Sequence, residues 1–114
     1  MIDRSPREWL DDAKKYALEA REIVRDFDQK DYDRSRRDQL AVQFCLAAMG
    51  EALNQVPKDI QALTPDIAWV AINGLRNRLV HSYFLIDNQI ILSIAKNDTN
   101  TLAASIDRLI EKIK

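Results

Sequence analysis

One cysteine and one histidine among 114 residues are too few to complete a four-ligand zinc set. The carboxylates are scattered without ligand spacing, so neither a metal nor a cofactor is expected. Cys45, standing alone, excludes an intrachain disulfide and is expected to pack as a small residue. Two glycines and three prolines leave no room for a glycine-rich phosphate loop, and the P-loop and dinucleotide fingerprints are absent. No apolar run approaches the roughly 20 residues that cross a bilayer. The opening MIDRSPREW lacks a basic-then-apolar leader pattern, so the expected location is the cytoplasm, away from membrane. A formal charge of −1 provides no global basic field, so any contact with nucleic acid must be local.

What remains is a chain with 46% hydrophobic and 31% charged residues, the balance of a helical protein rather than a disordered or sheet-rich one. Its length suits one domain over residues 1–114. SPRE at 5–8 reads as a capping box with Pro6 at the first helical position, starting a helix to about Lys30. Asp33 or Ser35 then caps a second helix, whose apolar positions from Leu40 to Leu53 keep helical spacing and which ends before Pro57. Thr64 and Pro65 repeat the start signal for a third, with Ala68, Ala71, Ile72, Leu75 and Leu79 facing inward. Asp87 caps a fourth, NDTN at 97–100 reads as an interruption, and Leu102 to Ile113 make a fifth. Short connections join neighbouring helices, giving an all-α, up-and-down bundle of four to five helices.

The one segment with chemistry in it is LRNRLVHSY, residues 75–83, at the end of the third helix. Asn77 and His81 are helical neighbours four apart, whereas Arg76 and His81, five apart, diverge by roughly 140° on an ideal helix. Either the helix loosens near His81, or a second copy brings its own segment up across a two-fold axis. The second solution also meets a chemical need. Cutting RNA without a metal takes a base for the 2′-hydroxyl, an acid for the departing 5′-oxygen and a cation for the phosphorane charge. One histidine does not easily serve as both base and acid, while two copies supply two imidazoles and at least two guanidinium forks. A plainer reading stays open: a histidine near a helix C-terminus stabilises the helix dipole, and Arg76 and Arg78 are solvated or cap carbonyls.

R-N-R-L-V-H-S-Y resembles the R-x-x-x-x-H-x-Y signature of HepT-like toxins in the HEPN superfamily, with Arg76, His81 and Tyr83 at the matching positions and Asn77 as the polar residue after the arginine. The likeness extends to MGEA at Met49 to Ala52, PDIAWVAINGLRN and YFLID, and so to nearly the whole chain. The resemblance implies a HEPN-like helical homodimer whose two motif segments face a cleft, acting as a metal-independent endoribonuclease toxin. It further implies a partner, an MntA-like nucleotidyltransferase antitoxin that transfers AMP to Tyr83. The expected catalytic set is therefore Arg76, Asn77 and His81, with Tyr83 as the modified residue and RNA as substrate. The alternative is a non-catalytic, nucleotide- or substrate-binding subunit of a minimal nucleotidyltransferase; a plain interaction bundle is a third reading. Arg78 stays outside the core set, RSRR at 34–37 reads as a solvated helix start beside Asp31, Asp33 and Asp38, and Gly50 and Glu51 read as packing and surface. Trp9, Trp69 and Phe44 are expected in the core or a dimer contact.

Overall fold

The structure, a computed structural model, describes residues 4–114. The reading of the chain's start as free of a leader falls partly on residues 1–3, outside those described.

The first helix, α1 (Pro6–Val24), opens as the capping box requires: Ser5 Oγ accepts from the Glu8 amide at 3.2 Å, and Glu8 Oε1 accepts from the Ser5 amide at 3.1 Å. Its inward stripe, Leu10, Ala13, Ala17, Ala20 and Val24, is mostly alanine, which lets α3 (Arg36–Asn54) pack close along its length. The expected run to Lys30 stops at Val24 because Asp28 begins a new capping box with Asp31, starting the short α2 (Gln29–Arg34). Ser35 then caps α3 through the Asp38 amide. A single turn, α4 (Lys58–Gln61), follows Pro57.

The third expected helix starts later than its cap signal suggests, as α5 (Trp69–His81). The Thr64 carbonyl accepts from the Trp69 indole at 3.0 Å and from the Ile67 amide at 3.2 Å, which closes a turn where a first helical turn was expected. Asp66, inside that turn, is held by Ser105 and Arg108 of the last helix.

After the 3₁₀ turn Tyr83–Leu85, Asp87 caps α6 (Asn88–Ser93) by accepting from the Gln89 and Ile90 amides. The interruption expected at 97–100 is a bulge rather than a break: a π-helical segment (Ile94–Asp98) carries the chain without a stop into α7 (Thr99–Lys112). Lys96 of that segment donates to the Phe27 carbonyl, and Thr99 Oγ1 donates to the Ala95 carbonyl at 2.7 Å. The long helices α1, α3, α5 and 88–112 form an all-α bundle around Leu10, Val24, Tyr32, Leu46, Met49, Leu53, Ile106 and Leu109. No described helix is long and apolar enough to cross a membrane.

Helix α5 leans mainly on α3, and of its residues only Leu75 is buried, so its opposite face remains open.

Candidate active site

Gly50 sets where α5 lies. A Cβ built there would fall 2.7 Å from Arg76 Cβ and 3.2 Å from its Cγ, so the base of the Arg76 side chain rests directly on the α3 backbone. From that position the guanidinium reaches in two directions. Its Nη2 lies 2.8 Å from Glu51 Oε2 on α3, and its Nη1 donates to Asn77 Oδ1 at 2.8 Å. Glu51 is steadied in turn by Gln55, whose Nε2 donates to Oε1 at 3.0 Å. Gly50 and Glu51, which sequence reasoning leaves as packing and surface, therefore lie beneath the arginine of the motif. The contact arises from the docking of two helices far apart in sequence, and its one sequence trace is the MGEA block.

His81 is the last residue of α5, and it is exposed. No side-chain hydrogen bond engages it among the described residues. Helix α5 does not loosen before it: the first capping bond beyond is Ser82 N–H to the Arg78 carbonyl at 3.0 Å. The helical rotation between Arg76 and His81 is therefore retained, and within one copy they face different directions. Asn77, a helical neighbour of His81, spends its amide oxygen on Arg76.

Tyr83 begins the 3₁₀ turn and is 74% exposed, stacked edge-on to Phe84 with ring centroids 6.0 Å apart. Val80, Phe84 and Leu85 in the same stretch of chain are exposed too, giving the end of α5 an apolar border.

The other sequence candidates lie elsewhere. Arg78 is exposed and borders a groove of about 410 Å³ formed by α3, α5 and the 88–112 helix, lined mainly by Met49, Ile67, Ile72, Leu75, Ile94 and Leu102. Arg36 donates to Gln39, and Arg37 pairs with Asp38, as a solvated helix start would. Trp9 is half-buried under the Arg4 guanidinium, and Trp69 is half-buried with its indole bonded to Thr64. Phe44 is 64% exposed on α3, against the edge of Tyr16, so it is not part of the core. Burial, with Glu19 nearby, pushes the Cys45 thiol up, away from thiolate chemistry. Among the described residues no three His, Cys, Asp or Glu side chains lie together as a metal cluster.

Comparison with known proteins bears on this constellation. Residues 13–109 match the family model described as Ribonuclease HepT-like. A protein of Thermococcus cleftensis named "Probable ribonuclease HepT" is 28% identical over 108 residues, covering 95% of this chain and 98% of its own. A Methanocaldococcus jannaschii protein named "Putative RNase" is 26% identical over 114 residues, covering 100% of this chain and 98% of its own. No solved structure matches the chain.

Proposed function

Since the chain belongs to the Ribonuclease HepT-like family, we propose that it is a metal-independent endoribonuclease in which two copies share one site. The observation that carries this reading is the helicity of α5 through His81, which keeps Arg76 and His81 apart in one copy and leaves the imidazole open to a partner. The apolar border of Val80, Tyr83, Phe84 and Leu85 supports a protein contact at the same end of the helix.

In the shared site one His81 takes the proton from the RNA 2′-hydroxyl as its oxygen attacks phosphorus. The second His81 protonates the departing 5′-oxygen. Arg76 binds the phosphate and the charge that builds on it in the transition state, and Asn77 holds the guanidinium in line. The protein works as the toxin of a toxin–antitoxin pair whose antitoxin is an MntA-like nucleotidyltransferase, with Tyr83 as the AMP acceptor. The exposure of the Tyr83 ring supports that role. An AMP two residues from His81 adds bulk and negative charge where the RNA phosphate must sit, so inhibition requires no refolding.

The test is cleavage of RNA by purified protein in EDTA, beside His81→Ala and Arg76→Ala. The wild type is expected to cut with chelator present, and each variant to lose on the order of 100-fold or more. No cutting by the wild type under any condition would overturn the nuclease and leave a nucleotide- or substrate-binding subunit of a nucleotidyltransferase.

A further inference from the structure

Arg76 is held before any substrate arrives. Glu51 Oε2 takes one end of the guanidinium and Asn77 Oδ1 the other, both at 2.8 Å, and Gln55 fixes the far oxygen of Glu51 at 3.0 Å. An exposed ion pair of this kind would count for little. This one differs in two ways. The Glu51 Oε2 atom is buried and has no aligned hydrogen bond, so the Arg76 charge is what compensates it. The residue before Glu51 is Gly50, where even a methyl group would strike Arg76 Cβ, so the carboxylate and the arginine are brought together by a close approach of α3 and α5. The Arg76 side chain still keeps 26% of its surface open, and its remaining N–H donors meet no acceptor among the described residues.

From this geometry we propose that Glu51 is a positioning residue: its carboxylate locks the Arg76 guanidinium at one angle, so that the free donors meet the phosphate in the transition state. The inference rests on the RNA-cleaving reading and adds to it a residue outside the signature segment. A flexible arginine would bind any phosphate in many poses, and holding it removes that freedom in advance. The carboxylate also has an opposing effect. Its negative charge weakens the attraction of Arg76 for the ground-state phosphate, so orientation is gained at some loss of affinity. Glu51→Gln separates the two effects, since the amide keeps a polar group of the same size against Arg76 and drops the charge.

The experiment pairs steady-state cleavage with ¹⁵N NMR of the Arg76 side chain, on wild type, Glu51→Ala and Glu51→Gln. Glu51→Ala is expected to lower kcat about 10- to 100-fold without raising KM, and Glu51→Gln to recover most of kcat while KM falls. In the NMR arm, rotation of the guanidinium is slow in the wild type and in Glu51→Gln and fast in Glu51→Ala. Unchanged kcat in folded Glu51→Ala, or Glu51→Gln no better than Glu51→Ala, overturns the proposal. If the wild type cuts no RNA, the nuclease reading falls, while loosening of the Arg76 signal in Glu51→Ala alone still supports the clamp. An Arg76 signal indifferent to Glu51 overturns the clamp whatever the wild type does.

Discussion

The two glycines of the chain, both helical, have opposite responses to a methyl group. In a helix interior Gly→Ala gains about 1 kcal/mol of backbone preference. At Gly50 that gain is outweighed, because the new Cβ would sit 2.7 Å from Arg76 Cβ, and overpacking of this kind costs about 1–3 kcal/mol. At Gly74 the nearest atom is Arg78 Nη1 at 3.9 Å, so nothing opposes the gain. Thermal unfolding is expected to show Gly74→Ala raising Tm and Gly50→Ala lowering it, with RNA cleavage reduced only in the second. Tyr32 offers a second residue-scale test, since its ring is fully buried and its hydroxyl has no hydrogen-bond partner among the described residues. Burial, then the neighbouring Asp33, pushes its pKa up to about 12. Raising the folded pKa of an acid favours the neutral form, so the stability it confers is present below pH 10 and is lost as pH rises from 10 to about 12. Tyr32→Phe is therefore expected to keep or raise Tm at neutral pH and to flatten the decline across that alkaline window; a drop of Tm at neutral pH would reveal a partner for the hydroxyl.

Ser5-Pro6 and Thr64-Pro65 carry the same start signal and meet different fates, which marks the limit of reading elements from local pattern. Ser5 and Glu8 complete the capping box between them, and α1 begins where the pattern says. At Thr64 the carbonyl is claimed by the Trp69 indole, the hydroxyl is buried without a partner among the described residues, and Asp66 is held by Ser105 and Arg108 of α7, so these contacts delay the helix to Trp69. Ser5→Ala is expected to cost about 1 kcal/mol, and Thr64→Val, which keeps the shape and removes an unpaired hydroxyl, to cost little or to stabilise. Equal losses in denaturant unfolding would show that both hydroxyls cap. The apolar stripes of α1, α3 and α7 were legible because each faces one core. Two features were not: the end of α1 at Val24, where the apolar period runs on through Phe27 although Asp28 restarts the chain, and the π segment at Ile94–Asp98, which absorbs a polar stretch without breaking the helix. The site was legible in part for the same reason. Arg76, Asn77, His81 and Tyr83 lie in one run of sequence, but Glu51 reaches Arg76 only through the packing of α3 on α5.

At the scale of the whole molecule the bundle measures 42 × 27 × 23 Å and leaves one end of α5 with its apolar residues unpacked. Val80, Phe84 and Leu85 are exposed beside His81. In the proposed nuclease that surface is covered by a second copy, and each pair of chains holds the two imidazoles that base and acid require. The direct test is to refold wild type with increasing proportions of His81→Ala at constant total protein and to measure RNA cleavage in EDTA. Exposed as it is, His81 can be replaced without disturbing the fold, so pairing stays random. Shared imidazoles predict cleavage that follows the square of the wild-type fraction, because every mixed pair lacks either its base or its acid. A fall in simple proportion to the wild-type fraction would contradict it, since each copy would then cut alone.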